Sequence, residues 1–199
     1  HGKIGVSGKV SLWTLSSADN MPVIAEQADN IESIEFKADG QSLLIGADDN
    51  KACFIPSIAG KDRSILDEHN GRVNAVSFSS GKDGLFVTGS LDKMVKVWME
   101  STKKVIVNFD QPEAGITGLA WLSNGVQMVG SCLDGRLYWW GVYQDQKRKT
   151  WGGYFIRRID AHSGGVNALA ASGNRARIIS AGENNTASVW DMNSGGNIR

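Results

Sequence analysis

The sequence predicts an all-β fold made of repeated small sheets, each with four antiparallel strands in roughly 42 residues. The first observation is a recurring string in which a turn residue precedes an aromatic residue by six positions, as Asp92 precedes Trp98. The aromatic residues of the five copies are separated by 41, 44, 42 and 50 residues. The second observation is an alternation of apolar with small or polar residues before four of the copies, which is typical of a strand with one buried face.

The first strand of each repeat is this alternating segment, and a hairpin signal follows it. The four segments are IESIEF (31–36), VNAVSF (73–78), ITGLAW (116–121) and VNALAA (166–171). Asn-Gly and Asp-Gly tolerate positive φ and close tight antiparallel turns. Such signals stand at 38–40, 82–84, 123–125 and 172–174. A short apolar run then predicts the second strand.

The third strand begins after the turn residue and ends at the aromatic residue. The five pairs are Ser7 with Trp13, Asp48 with Phe54, Asp92 with Trp98, Asp134 with Trp140, and Asn184 with Trp190. In the copy GSLDKMVKVW (89–98), we expect Val95 and Val97 on the buried face and the ends of Lys93 and Lys96 in solvent. A weaker fourth strand is predicted at 64–66, 104–109 and 154–159.

These repeats resemble the WD-repeat family over essentially the whole chain. The family places a His before the first strand, a Ser or Thr in the second, an Asp in the turn and a Trp in the third. The two full sets are His69, Thr88, Asp92 and Trp98, and His162, Ser180, Asn184 and Trp190, with Asn in place of Asp. The resemblance implies a β-propeller in which each set forms a buried hydrogen-bonded network that holds the sheet together.

The other two repeats depart from this pattern. The repeat at 114–140 keeps Asp134 and Trp140 but has Gly130 at the hydroxyl position and no His. The repeat at 27–54 has Gln27 in place of His and Phe54 in place of Trp.

The resemblance divides the chain into about four and a half blades. The expected blades are a partial one at 1–24, three at 25–67, 68–110 and 111–160 with a long loop at 142–153, and one at 161–199 without its outer strand. Rings of this family usually close with seven blades, so we expect the remaining blades from the same longer chain or from another chain. A compact closure with five blades is the alternative.

Net charge indicates which classes of partner to expect, and cysteine content indicates the cellular compartment. The chain has 21 Lys and Arg against 21 Asp and Glu, so no net field favours nucleic acid or an anionic membrane as a partner. Cys53 and Cys132 are expected in blades that do not touch, hence as free thiols, which fits a reducing compartment. We expect an intracellular, cytoplasmic protein, with a nuclear or cytoskeletal location left open.

Motifs of catalysis are scarce. Both internal histidines occupy structural positions of the family pattern, and the sequence has no nucleophile elbow, phosphate-binding loop or zinc-binding helix signature. We therefore expect no catalytic residue, no cofactor and no metal. The expected function is a non-enzymatic interaction scaffold, a WD-repeat subunit of a larger multiprotein assembly.

Partners of the family commonly meet the face formed by the loops before the first strands and the turns before the third. The residues expected on that face are Glu32, Arg72, Asn74, Leu91, Thr117, Leu133, Asn167 and Glu183. Leucines suit an interface core better than a solvated turn, and Arg often anchors interfaces. Alternatively, the two leucines fold back onto their own turns.

Two other functions stay open. The central channel could read a peptide or a modified residue, which an acidic or aromatic pocket would favour. The segment QDQKRKTW (144–151) places Lys147, Arg148 and Lys149 beside Trp151, a combination that binds phosphate, nucleic acid or acidic peptide. An RNA-associated component would use this loop, whereas a purely structural loop would pack its Trp on its own hairpin.

Overall fold

The computed structural model describes residues 7–12, 23–81, 83–172 and 177–199. Within these ranges the chain is all-β, with 17 strands in five antiparallel sheets and no α-helix. The expected anchor Trp13, the turn residue Lys82 and part of the expected turn at 172–174 lie outside the described residues. The described part of the chain contains no helix long and apolar enough to cross a membrane.

The prediction of small antiparallel sheets is confirmed, and each full sheet follows chain order from its inner to its outer strand. The first pair is β1 (Gly8–Ser11) and β2 (Val23–Gln27). The Gln27 blade contains β3 (Ile31–Phe36), β4 (Leu43–Ala47), β5 (Ala52–Ile55) and β6 (Ser64–Leu66). The His69 blade contains β7 (Val73–Phe78), β8 (Leu85–Ser90), β9 (Val95–Met99) and β10 (Lys104–Phe109).

Two further sheets complete the described chain. The Gln111 blade contains β11 (Ile116–Trp121), β12 (Gln127–Cys132), β13 (Arg136–Asp145) and β14 (Thr150–Asp160). The His162 blade contains β15 (Val166–Ser172), β16 (Arg177–Gly182) and β17 (Ala187–Asp191).

The connection expected as a long loop at 142–153 is mostly strand, which corrects that expectation. β13 and β14 stay paired as far as Asp145 and Thr150, and only residues 146–149 form the turn. The polar letters QDQKRK suggested a loop, but the flanking Val142, Tyr143 and Trp151 are strand-favouring residues that extend the ladder.

The position of an outer strand in the His162 blade is partly occupied. The Val189 amide donates to the Arg199 carbonyl over 2.9 Å, and the Ile198 amide donates to the Val189 carbonyl over 2.7 Å. The last residues of the chain therefore run along β17, although they form only an isolated bridge, between Trp190 and Asn197.

The core lies between neighbouring sheets. Phe54 of one blade stacks on Phe86 of the next at 5.7 Å between ring centroids, and Phe86 stacks on Trp98 at 6.0 Å. A second apolar cluster joins the His69 and Gln111 blades. Cys132 is a buried free thiol in this second cluster, and Cys53 is a buried free thiol in another cluster, which joins the β1–β2 pair to the Gln27 blade. The blades are thus held together by apolar contacts between sheet faces.

The strand order defines an axis and two rims. The inner strands β3, β7, β11 and β15 contact one another in succession, so they surround the axis. Because successive strands run antiparallel, the loops entering the inner strands share one side with the turns between second and third strands. We call this side the upper rim. The opposite lower rim carries the turns between third and fourth strands, including the turn at 146–149.

Candidate functional site

In the His69 blade, the four expected network residues form one chain of hydrogen bonds. His69 Nδ1 lies 2.8 Å from Asp92 Oδ2, and His69 Nε2 lies 2.7 Å from Thr88 Oγ1. The Trp98 indole N–H donates to Thr88 Oγ1 over 2.9 Å. With a neutral His69, the Thr88 hydroxyl donates to Nε2 while Nδ1–H donates to Asp92, so every member is satisfied.

The charge states agree with this assignment. Burial lowers the pKa of His69 more strongly than Asp92 raises it, which favours the neutral ring. For Asp92, burial alone would raise the pKa, but amide hydrogen bonds from Asn70 and Met94, together with His69, lower it further than burial raises it. Asp92 stands in the turn that Lys93 closes with a φ of 70°. The turn therefore holds an ionised carboxylate against a neutral imidazole.

The His162 blade repeats the chain without a carboxylate. His162 Nε2 lies 2.8 Å from Ser180 Oγ, which also accepts the Trp190 indole N–H over 2.8 Å. His162 Nδ1 lies 3.1 Å from Asn184 Oδ1 and equally far from Thr186 Oγ1. The amide oxygen of Asn184 thus takes the position of the Asp92 carboxylate.

In the Gln111 blade, the indole N–H of the buried tryptophan is satisfied by a glutamine instead of a hydroxyl residue. The Trp140 indole N–H donates directly to Gln111 Oε1 over 3.1 Å. A Cβ added to Gly130 would lie 2.8 Å from the Trp140 ring, so the ring occupies the space that a hydroxyl residue fills elsewhere. Asp134 accepts the Tyr138 hydroxyl over 3.0 Å instead of a histidine.

Sequence reasoning missed Gln111, although a signal for it exists. Gln111 precedes Gly130 by the same interval that separates His69 from Thr88. Gln27 precedes Gly46 by that interval as well. A paired change of His to Gln and of the hydroxyl residue to Gly therefore marks the variant blade.

These networks hold the strands of each blade together through hydrogen bonds. Both ring nitrogens of His69 and of His162 are engaged within their blades. No group of three His, Cys, Asp or Glu side chains suited to a metal ion occurs in the part of the chain that the structure describes.

On the upper rim, the structure brings Leu91 and Leu133 together across Gly115. A Cβ at Gly115 would lie 2.6 Å from Leu91 Cδ2 and 3.4 Å from Leu133 Cδ1. Leu133 is 48% exposed and Leu91 is half-buried. The two leucines thus form one apolar patch that spans the His69 and Gln111 blades.

Arg72 sits elsewhere on the same rim, between two carboxylates. Its guanidinium forms an ion pair with Asp48 and lies 3.8 Å from Glu32 Oε1. Burial and the neighbouring Asp48 raise the pKa of Glu32, and Arg72 opposes that rise. Arg72 therefore ties its blade to the preceding one.

The remaining expected rim residues are mostly engaged within the fold. The Asn74 side-chain amide donates to the Ile116 carbonyl of the next blade over 3.0 Å. Thr117 Oγ1 lies 2.9 Å from Ser131 Oγ, and Glu183 accepts the Gly165 amide over 3.0 Å. Asn167 is exposed.

The basic segment divides between two surroundings. Trp151 is half-buried and packs against the core cluster between the His69 and Gln111 blades. Lys147, Arg148 and Lys149 are exposed at the turn, where Arg148 lies 3.7 Å from Asp145. The structure therefore does not place this Trp on an open surface with the three cations.

Near the lower rim, the inner strands line a cavity of about 410 Å³ that includes Glu35, Ser77 and Trp121. Burial raises the pKa of Glu35 to about 6, against weaker opposing contacts from the Ser77 side chain and the Phe78 amide.

Comparisons with known proteins agree with this architecture. A family model described as WD domain, G-beta repeat, matches residues 60–99 and 153–191. The 66 kDa stress protein of Physarum polycephalum is 30% identical over 141 residues, covering 68% of this chain and 22% of that protein. The WD repeat domain-containing protein 83 homolog of Dictyostelium discoideum is 26% identical over 129 residues, covering 64% of this chain and 37% of that protein.

A further similar protein is cell division cycle 20.1, cofactor of APC complex, of Arabidopsis thaliana. It is 22% identical over 209 positions, covering 96% of this chain and 42% of that protein. The chain thus spans 22% to 42% of the length of these three relatives.

Proposed function

The chain belongs to the WD-repeat family, and on that premise we propose that it is a non-enzymatic interaction scaffold within a larger intracellular assembly of proteins. One similar protein is named as a cofactor of a complex, which supports such a role. The buried free thiols fit a reducing compartment. The histidines support a role without catalysis because their ring nitrogens are already engaged in holding the sheets.

The observation that carries the proposal is the leucine patch on the upper rim. Solvated turns gain nothing from leucine, whereas burying such a side chain in an interface contributes about 1.5–3 kcal/mol. Gly115 leaves room for Leu91 to lean toward Leu133, so the two side chains offer one continuous surface. Two adjoining apolar anchors inside a polar rim are the usual anatomy of an interface core.

Arg72 contributes to this surface in a second way. Its side chain remains 45% exposed although it pairs with Asp48 and Glu32. The flanking carboxylates hold the guanidinium in a defined orientation, which lowers the entropy lost when a partner binds.

Further blades would complete the ring. In the His162 blade, Ile179 is 51% exposed, and an apolar hollow of about 500 Å³ lies beside it between Ala170 and Val189. A face of this kind is normally covered in a propeller. We propose that additional blades, from the same longer chain or from another chain, cover it. A native polypeptide no longer than this chain, alone in solution as a monomer, would contradict that.

The test is to capture partners with the full-length protein and quantify them by mass spectrometry. Leu91→Asp combined with Leu133→Asp should remove the proteins that bind the upper rim, with a loss of about tenfold or more. The matched control is Val126→Asp, because Val126 is 38% exposed but lies after the inner strand, on the lower rim. Equal capture by both variants, with unchanged melting temperatures, would refute the proposal.

The cavity at Glu35 favours a second candidate, a reader of basic peptides in the central channel. No salt bridge to Glu35 occurs among the described residues, so no cation of this chain neutralises its carboxylate there. Because its pKa is about 6, binding of a lysine-rich peptide should weaken as the pH falls through that value. Glu35→Gln should abolish both the binding and its pH dependence, and calorimetry would measure each. An unchanged affinity in Glu35→Gln would exclude this reader.

A further inference from the structure

The hairpin at residues 141–154, which we call the arm, extends β13 and β14 beyond the body of the Gln111 blade. The ladder is regular from the Trp140–Phe155 pair to the Asp145–Thr150 pair. In this ladder Gly152 faces Tyr143, and Gly141 faces Tyr154. Residues that pair directly across a ladder share a face, so both tyrosines lie on one side of the arm.

The inner side of the arm rests on the neighbouring blade. Val142 is buried, and Trp151 packs against the shared core cluster. A Cβ at Gly153 would lie 2.4 Å from Val107 Cγ1 of β10, so Gly153 permits this close approach. The arm is therefore anchored in one position and does not need to be ordered by a ligand.

The outer side is aromatic and exposed. Tyr143 is 54% exposed and Tyr154 is 43% exposed, with ring centroids 6.3 Å apart. Each ring covers the glycine opposite it, because a Cβ at Gly152 would lie 2.5 Å from Tyr143 and one at Gly141 would lie 2.3 Å from Tyr154. Aromatic rings that cover cross-strand glycines stabilise a ribbon and leave their outer faces available.

The arm concentrates positive charge in a chain whose net charge is zero. Within the arm, residues 141–154 contain three cations, Lys147, Arg148 and Lys149, against one carboxylate, Asp145. Arg148 pairs with Asp145 and Arg158 pairs with Glu113, whereas Lys147 and Lys149 form no salt bridge with any residue that the structure describes. The local field at the tip therefore favours an acidic partner.

The outer edge of β14 is free. Among the strands that the structure describes, β14 is the last of its sheet and pairs with β13 alone. Within the described ranges, no other backbone hydrogen bond involves residues 150–158. Gly152 and Gly153 place no side chain over this edge, and no proline interrupts it. A free edge of regular strand is a template for one more strand.

We propose that the arm binds an acidic, extended segment of a partner protein, which pairs with the edge at 150–155. The backbone of that segment would complete the ladder, its carboxylates would meet Lys147 and Lys149, and its apolar side chains would contact Tyr154. Strand pairing favours a peptide over a nucleic acid. The edge presents amide donors and carbonyl acceptors in alternation, and a phosphate backbone offers acceptors only, whereas a peptide backbone offers both. The arm lies on the lower rim, so this site is separate from the leucine patch.

The test uses fluorescence anisotropy with the full chain and three probes. The probes are a short labelled peptide of alternating Glu and Val, the same peptide with alternate backbone amides methylated, and single-stranded oligouridylate. We expect the unmodified peptide to bind, with an affinity that falls as salt rises. Methylation removes donors needed for strand pairing and should weaken binding about tenfold or more.

Paired charge reversals locate the site. Lys147→Glu with Lys149→Glu should weaken binding of the unmodified peptide at least about tenfold. The matched control is Lys61→Glu with Lys93→Glu, because all four lysines are exposed and both Lys149 and Lys93 have positive φ in a turn. Leu91→Asp should leave this binding unchanged, so the upper-rim proposal and this one fail separately.

Three outcomes would overturn the inference. Tighter binding of oligouridylate than of the peptide would make the arm a nucleic-acid surface. Equal binding of methylated and unmodified peptide would exclude strand pairing. Equal loss in the tip variant and its control, or no binding of the peptide at all, would show that the arm is not an acidic-peptide site.

Discussion

The His69 and Gln111 blades are neighbours that satisfy the same buried tryptophan in two ways. Trp98 is joined to Asp92 through Thr88 and His69, all but one of them buried. Trp140 instead donates to the exposed Gln111, in a single step. The comparison shows that a buried tryptophan at this anchor position is given an acceptor for its indole N–H in both blades, and that the long relay is one of two ways to supply it.

The largest expected effect comes from breaking the relay at its centre. Thr88→Val keeps the shape but leaves the Trp98 N–H and His69 Nε2 without their partner, which should lower the free energy of unfolding by about 3 kcal/mol. Gln111→Leu should lower the free energy of unfolding by only about 1 kcal/mol, because Gln111 is exposed and water can replace it as the acceptor of the Trp140 N–H. Urea denaturation of both variants measures the contrast.

The exposed Thr102→Val is the control for Thr88→Val, and its effect should lie within about 0.5 kcal/mol. Equal losses in Thr88→Val and Gln111→Leu would mean that the relay adds nothing to the simple contact.

A smaller effect is expected when the Gln111 blade is given a side chain at the hydroxyl position. Gly130→Ala would force its Cβ against the Trp140 ring and Leu119, at a cost of about 2 kcal/mol by urea denaturation. Gly60→Ala is the control, since its nearest neighbour would lie 3.5 Å away. Unchanged stability in Gly130→Ala would show that the ring does not need that space.

The smallest expected effect is a difference in how the unfolding free energy depends on pH between the wild type and His69→Gln, which replaces the histidine by the glutamine type of the Gln111 blade. The pKa of His69 is lower in the folded state than the ordinary 6.5, so folding becomes less favourable as the pH falls below that value. Unfolding free energies measured at neutral and mildly acidic pH should therefore decline more steeply in the wild type than in His69→Gln.

Glu35 titrates in the opposite sense, because its raised pKa adds stability as the pH falls through about 6. That contribution is the same in the wild type and in His69→Gln, so it cancels in the comparison. Parallel pH profiles for the two proteins would contradict the assignment of a neutral His69 that resists protonation.

The sheets were predictable because the signals for each strand are local in sequence. Apolar and polar residues alternate in the first strand, a hairpin signal follows it, and an aromatic residue stands six positions after the turn residue. The relation of His69 to Thr88 and Asp92 was implied by the resemblance to the WD-repeat family, whose pattern these residues match. Gln111 could not be found by residue type, since an exposed glutamine is ordinary and only its interval to Gly130 distinguishes it.

The arm depends on cross-strand packing within one blade and the leucine patch on a contact between two blades, and the spacing of the repeats predicts neither. Polar residues at 144–149 suggested a loop, whereas cross-strand packing of Tyr143 and Tyr154 over glycines extends the strands. Leu91 and Leu133 were expected on one face, but their proximity arises from the small Gly115 between them.

The bond between Trp140 and Gln111 bears on how such rings are counted. The two segments that match the family model each carry a histidine relay, while the Gln27 and Gln111 blades fold alike without one. A count of blades that depends on the histidine signature would find only two of the five described sheets. Glutamine paired with glycine, at the interval that joins His69 to Thr88, is a second signature by which unnoticed blades in other chains could be recovered.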